Sequence, residues 1–175
     1  LAARYGESAA AELYRAFLGT TLSRMAQIGS ARTVVYTPTE RGAEFREFAG
    51  TAWRLEPQAD GDLGARMQAY FSGAFARGAG QVVVIGSDSP TLPPAYVTDA
   101  FDRLNESDVV LGPTPDGGYY LIGASGNVPP VFDGIAWSTP AVWPETVGRI
   151  DEAGIDCAVL PAWSDVDTPD DVEQL

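Results

Sequence analysis

Apolar residues fall along this chain in two alternating spacings. From Ser8 to about residue 28, Leu13, Phe17, Leu18, Leu22 and Met25 recur every three or four positions. That spacing predicts a helix with one apolar face, with Ser8 as its cap. Leu63, Met67, Tyr70, Phe71, Ala74 and Phe75 repeat the pattern and predict a second amphipathic helix that ends at Gly78. Between such segments lie short apolar runs at 32–37, 53–57, 81–85, 108–111, 119–123 and 155–160, which read as strands. Further helices are expected at 39–48, stopped by Gly50, and at 94–104. A helix from Thr139 and Pro140 to about Ala153 is closed by Gly154, and a terminal helix opens at Thr168 with Asp170 and Asp171 in its first turn. The alternation predicts an α/β fold, with no repeat, linker or low-complexity tract.

The run Gln81-Val82-Val83-Val84-Ile85 is the clearest of these strands, and it stops abruptly at Gly86-Ser87-Asp88-Ser89-Pro90. A continuous β-branched run predicts a strand buried on both faces, as in a parallel sheet. Asp88 then stands at a strand's carboxyl end, where open α/β sheets bind ligands and where a carboxylate is well placed to hold a divalent metal. A second acidic pair, Asp165 and Asp167, follows another apolar run. Each has an ordinary alternative: Asp before Ser-Pro also caps turns, and Asp165 and Asp167 also read as loop carboxylates. Asp170, Asp171 and Glu173 read as solvated first-turn residues, Arg66 as a surface or salt-bridge residue, and Cys157 as buried and inert.

Composition narrows the chemistry. With 175 residues, 45% hydrophobic, the chain suits one domain, residues 1–175, with a sizeable core. A single cysteine and no signal-peptide or membrane-spanning run predict a reduced, cytoplasmic setting. The net charge of −13 argues against nucleic-acid or anionic-membrane partners and for small molecules. The chain has no histidine, and all 11 basic residues are arginine. Ser-His-Asp and Cys-His catalysis, histidine-bound zinc, Schiff bases and the P-loop lysine are thereby excluded. What remains suits metal-assisted group transfer, where positioning and electrostatics supply most of the rate.

Four motifs occur in order: Val84-Ile85-Gly86-Ser87-Asp88-Ser89-Pro90; Val109-Val110-Leu111-Gly112-Pro113 through Asp116-Gly117-Gly118-Tyr119-Tyr120-Leu121-Ile122-Gly123; Trp137-Ser138-Thr139-Pro140; and Asp165-Val166-Asp167-Thr168-Pro169. In these motifs the chain resembles the rSAM/selenodomain-associated transferase family, within the nucleotide-diphospho-sugar transferase, or GT-A-like, fold. It is more distantly similar to phospholactate guanylyltransferase and molybdenum-cofactor guanylyltransferase. The resemblance implies a three-layer α/β/α domain around a mostly parallel central sheet. Such proteins usually begin with a strand and a loop of the form Lys-x-Pro-x-x-Gly-x-x-Lys-Thr-Arg-Leu that wraps nucleotide phosphates. This sequence opens at Leu1-Ala2-Ala3-Arg4, where that loop finishes, so the resemblance implies a fragment lacking both.

By the same resemblance, Asp88, Asp165 and Asp167 hold Mg²⁺ or Mn²⁺ beneath the nucleotide phosphates, and Asp88 and Asp167 are the catalytic pair. Gln58, Gly61, Asp62 and Leu63 form the turn near the nucleobase, and Ser87 joins the nucleotide-contacting set. Asp116, Gly117 and Gly118 let the backbone approach the acceptor, with Tyr119 as a wall and Trp137 and Ser138 as an acceptor-side lip. Taken alone, Asp116-Gly117-Gly118 is an ordinary tight turn, and Trp137 equally a core residue.

The implied activity is transfer of a nucleoside monophosphate from a nucleoside triphosphate to a small phosphorylated or hydroxylated acceptor. Glycosyl transfer from a nucleotide sugar and noncatalytic binding of a small molecule or partner are the alternatives. A haloacid-dehalogenase-type phosphatase is suggested by Asp165-Val166-Asp167-Thr168, but only seven residues follow Thr168, too few for that chemistry's later motifs. No G-x-G-x-x-G fingerprint of a Rossmann dehydrogenase occurs.

Overall fold

A computed structural model describes residues 1–173. In chain order the elements are α1 (Ala2–Tyr5), α2 (Glu7–Met25), β1 (Thr33–Tyr36), a single 3₁₀ turn (Thr39–Arg41), α3 (Gly42–Ala49), β2 (Arg54–Pro57), α4 (Leu63–Ala76), β3 (Gln81–Ile85), α5 (Pro94–Arg103), β4 (Val109–Pro113), β5 (Tyr119–Ser125), α6 (Val142–Ala153), β6 (Cys157–Val159) and α7 (Pro169–Glu173). They fall into two compact units. One comprises Leu1–Pro57, Gly86–Pro94 and the chain from Ser164 onward; the other comprises Gln58–Ile85 and Ala95–Trp163.

In the first unit β1 and β2 form a parallel pair, Thr33 opposite Arg54 and Tyr36 opposite Pro57. The α3 helix follows the expected 39–48 segment, its first turn tightened to 3₁₀ and its end marked by Gly50 at φ 58°. Gly42 allows the Tyr36 ring to lie against the start of that helix, where it also meets Phe45 at 4.9 Å. On α2 the buried residues are Ala10, Phe17, Thr21, Leu22 and Met25, the face expected from their spacing. Ser8 is not the cap. A separate one-turn helix precedes it, and Gly6, at φ 85°, makes the junction and accepts the Ala10 N–H.

The second unit carries a four-stranded sheet in the order β3-β5-β4-β6. β5 is antiparallel to both β3 and β4, and β4 is parallel to β6, so three strands share a direction and β5 alone opposes them. This corrects the parallel neighbour expected for Gln81–Ile85: its partner is antiparallel, and only Val82 of the five residues is fully buried. The strands covered on both faces are β5, buried from Tyr120 to Ala124, and β4, buried from Val109 to Gly112. Both are continuous apolar runs, the pattern that burial on two faces requires.

One face of this sheet presents Val109, Leu111, Ile122 and Ala124 to Met67, Phe71 and Ala74 of α4 and to Ile150 of α6. Phe71 is fully enclosed and packs on Phe132 at 5.6 Å. On the other face, Gly123 sits under Val83, Leu104 and Val110, and Gly112 under the Tyr120 ring, whose hydroxyl donates to the Pro161 carbonyl at 3.0 Å. Gly154, in the left-handed region, closes α6 as expected. That helix starts at Val142 rather than at Pro140, and the Thr139 hydroxyl donates to the Ala136 carbonyl at 2.7 Å while accepting the Ala141 N–H at 3.2 Å.

Candidate functional site

Two segments of the first unit build a cluster of carboxylates. The Gly86–Pro94 loop leaves the end of β3, with Leu92 buried as its anchor and the Leu92 N–H donating to Ser89 at 3.1 Å. From α2, Arg24 donates to the carbonyls of Thr91 and Leu92 at 3.4 and 3.2 Å, tying the loop to a helix. The second segment contains Asp165-Val166-Asp167. Val166 is buried, and its N–H donates to the Asp88 carbonyl at 3.0 Å. An inward-facing residue directs the acidic neighbours on either side of it to the opposite side, since successive side chains of an extended chain alternate.

The result is a convergence. One carboxylate oxygen from each of Asp88, Asp165 and Asp167 lies within 4.8 Å of the other two, with Asp88 and Asp165 half-buried and Asp167 exposed. Asp88 also folds over Gly86, at a place that a Cβ on residue 86 would occupy. Immediately downstream, Thr168 and Asp171 cap α7 reciprocally. Asp171 accepts from the Thr168 N–H and hydroxyl, both at 2.7 Å, and from the Asp167 N–H at 3.2 Å, while its own N–H donates to the Thr168 hydroxyl. These bonds hold the Asp171 carboxyl below its ordinary range. One of its oxygens, Oδ2, is thus given to the cap of α7.

Tyr14 of α2 was not anticipated. Its ring is 48% exposed and meets Phe17 edge-on at 6.2 Å. Its phenol is raised above the ordinary value by burial first, then by the charges of Asp167 and Asp88. Position 14 lies off the apolar stripe of α2, and nothing in the spacing marks it.

The other sequence-predicted residues belong to the second unit. In the turn before α4, Asp62 caps the helix by accepting the Ala65 N–H at 2.8 Å, and Gly61 takes φ 109°. Arg66, read from sequence as a surface residue, pins this turn: its Nε donates to the Gly61 carbonyl at 2.8 Å and Nη1 to Gln58 Oε1 at 3.1 Å. That leaves the Gln58 amide nitrogen uncommitted by this bond, and Leu63 is exposed.

Trp137 lies beside this turn. Gly64 presents its bare Cα to the Trp137 indole and to the Phe132 carbonyl, and Tyr119 meets Trp137 edge-to-face at 6.4 Å. Trp137 Nε1 is buried and has no hydrogen-bond partner among the described residues, while the buried Tyr119 and Thr146 hydroxyls face one another. Burial raises the Tyr119 phenol far above its ordinary value. Asp116 folds into its own turn, accepting from the Thr114 hydroxyl and from the Gly118 N–H at 3.2 Å. Gly117, at φ 96°, lies against Pro140, whose carbonyl oxygen is 2.6 Å from where a Cβ would be, and its own carbonyl accepts the Trp143 N–H. The space that Gly117 frees is therefore filled by Pro140. Ser138 is exposed and holds φ 62°, an uncommon conformation for a residue with a side chain.

The donor chemistry of the acidic cluster fits a hard cation: three carboxylates, with neither histidine nor thiol among them. Three like charges so close repel unless a cation or proton intervenes.

Comparison with known proteins agrees with this architecture. A family model described as "Uncharacterized protein conserved in bacteria (DUF2064)" matches residues 21–139. No curated protein matches. Among solved structures, a protein of Desulfovibrio desulfuricans G20, provisionally named a nucleotide-diphospho-sugar transferase, superposes with a TM-score of 0.89 at 35% identity, over 96% of this chain and 74% of that one. CMP:2-keto-3-deoxy-manno-octonic acid synthetase, solved with CTP, superposes at 0.64 and 14% identity, over 90% of this chain and 85% of that one. A Mycobacterium tuberculosis H37Rv protein solved with manganese superposes at 0.53 and 21% identity, over 90% and 84%. The fold is the GT-A-like fold of nucleotide-diphospho-sugar transferases.

Proposed function

The chain belongs to the DUF2064 family, and on that premise we propose that it is a metal-dependent nucleotidyltransferase. It would move a nucleoside monophosphate from a nucleoside triphosphate to a small phosphorylated or hydroxylated acceptor. The observation that carries this reading is the convergence of Asp88, Asp165 and Asp167 at the end of a sheet strand. It is supported by structural neighbours that include nucleotidyl- and cytidylyltransferases. The narrower kinship with the rSAM/selenodomain-associated transferases and the guanylyltransferases is part of this proposal.

In the reaction, an acceptor oxygen forms a bond to the α-phosphorus, the bond to the bridging oxygen breaks, and pyrophosphate leaves with its electron pair. Asp88, Asp165 and Asp167 would hold Mg²⁺ or Mn²⁺, which when bound neutralises charge on the phosphate oxygens. The chain's own part is positional. Val166 and Arg24 fix the two loops, so the carboxylates are arranged before ligand arrives. In the second unit, Arg66 holds the 58–63 turn so that the Gln58 amide nitrogen can meet a nucleobase edge, and Trp137, Tyr119 and Ser138 are proposed to face small-molecule ligand.

The test is pyrophosphate release from each of the four common nucleoside triphosphates, with Mg²⁺ or Mn²⁺ and a panel of small phosphorylated and hydroxylated acceptors. Metal-dependent, acceptor-dependent release supports the reading. Turnover of nucleotide sugars without it would replace the reading with glycosyl transfer, which the provisional name of the Desulfovibrio structure favours.

A further inference from the structure

On its outward side α2 carries two neighbouring rows of residues spaced by four, Arg15, Gly19 and Ser23 in one and Thr20 and Arg24 in the other. Phe17, Leu22 and Met25 take the opposite side into the core. Together with Phe48 of α3, the two rows line a groove of about 640 Å³, a size that suits small organic ligands. No member of the carboxylate cluster or of the 58–63 turn contributes to it.

The floor is apolar and partly open. Phe48 is 40% exposed, and a Cβ on Gly19 would meet the edge of its ring at 4.0 Å, an ordinary contact. Packing therefore does not demand a glycine here, although glycine inside a helix costs about 1 kcal/mol relative to alanine. Its effect is on shape, because the missing side chain keeps the groove deep beside the Phe48 ring.

The walls carry charge opposite in sign to that of the chain. Arg15 and Arg24 stand nine positions, or roughly 13 Å of helix, apart, and no Asp or Glu lines the groove, whereas the chain as a whole has a net charge of −13. Both arginines have capacity left. Arg15 meets Glu44 at 3.7 Å with both side chains half exposed, and Glu44 also pairs with Arg41 at 3.4 Å, so the contact is a weak surface pair that a better acceptor displaces. Arg24 makes both of its loop bonds through Nη2, to the carbonyls of Thr91 and Leu92. Those bonds fix the guanidinium and leave Nε and Nη1 without a partner among the described residues. Thr20 and Ser23 are exposed and add hydroxyl donors between the two cations.

An open aromatic ring between two forked cations matches a planar apolar ring that bears an oxyanion. The ring packs on Phe48, and the oxyanion takes paired N–H donors, the geometry for which guanidinium is built. We propose that the groove between α2 and α3 is a second ligand site, which binds a small aromatic phosphate or carboxylate through Arg15, Arg24 and Phe48. It stands independently of the nucleotidyltransferase reading, because it uses none of the three aspartates.

The test follows the amide NMR spectrum of the whole chain during titration to millimolar concentration with phenyl phosphate, benzoate and inorganic phosphate. Saturable shifts centred on Gly19, Thr20 and Phe48 are expected with phenyl phosphate, benzoate or both, and the tighter of the two names the oxyanion. Inorganic phosphate should bind at least fivefold more weakly than the tighter aromatic anion. Arg15→Gln, an exposed substitution that leaves the fold intact, should weaken that anion at least fivefold. Phe48→Ala should weaken it by a similar factor and leave inorganic phosphate unchanged. Absence of saturable shifts with either aromatic anion overturns the site, as do shifts centred on Asp88, Asp165 and Asp167 instead, or an affinity that Arg15→Gln does not move. Inorganic phosphate binding as tightly as the aromatic anions also overturns it, since the groove is then a patch of surface charge and Phe48 is no contact.

Discussion

Replacing Asp88 with Asn separates a metal site from a turn cap, because the two roles predict opposite signs without metal. Asn keeps the side chain's shape and an oxygen acceptor but removes one of three charges whose oxygens lie within 4.8 Å of one another. Like charges at such separations repel by about 1 kcal/mol in water and about 4 kcal/mol at an effective dielectric of 20. The cluster is half-buried to exposed, so the aqueous end applies, about 1 kcal/mol for each of the two pairs that include Asp88. In EDTA, Asp88→Asn is therefore expected to melt no lower than wild type and up to several degrees higher. With metal the order reverses. Saturation to a hundred times Kd stabilises wild type by about 2.7 kcal/mol, and a variant binding tenfold more weakly gains only about 1.4 kcal/mol. At about 2–4 °C per kcal/mol for a chain of this size, the metal-induced shift should be smaller in the variant by about 3–5 °C. Differential scanning calorimetry in EDTA and across a Mn²⁺ titration reads both signs. Equal metal shifts in the two proteins would refute the reasoning, as would a variant that melts well below wild type in EDTA, since that is the behaviour of a lost cap.

Gly86→Ala places a methyl group where the Asp88 carboxylate lies, and the far end of that side chain moves more readily than backbone. Mn²⁺ affinity should fall at least fivefold with little change in melting temperature, as read by calorimetric titration. Gly64→Ala is the opposite case: its methyl meets the Phe132 carbonyl and the Trp137 indole, so stability should fall by about 1–3 kcal/mol in urea denaturation. The Cys157 thiol is pushed up to about 11, by burial first and then by Asp156 and Asp151. At pH 8 it should therefore react with iodoacetamide about a hundredfold more slowly than a free cysteine, its rate climbing as pH approaches 11.

Most elements were legible because their signals are local. The helix Leu63–Ala76 has its cap, its apolar stripe and its stop within one short stretch of chain. Errors arose where a local signal has two tertiary meanings. A β-branched run marks burial but not the direction of its neighbour, so Gln81–Ile85 was expected beside a parallel strand and pairs instead with antiparallel β5. Ser8 has the right side chain for a cap, yet Gly6 takes the junction because only there does the chain need positive φ.

For the candidate site, the sequence by itself determined the chemical inventory: oxygen ligands without imidazole or lysine, and acidic residues following apolar runs at positions 88 and 165–167. These are properties of residue type and order. Tertiary structure alone decided that the two segments, 77 positions apart, meet through the Val166 N–H and the Asp88 carbonyl, that Asp171 is spent on capping, and that Arg24 of α2 ties the loop. The physical reason is that periodicity reports which face of an element is buried, whereas a site depends on which elements share a neighbourhood, and that follows only when the whole chain packs.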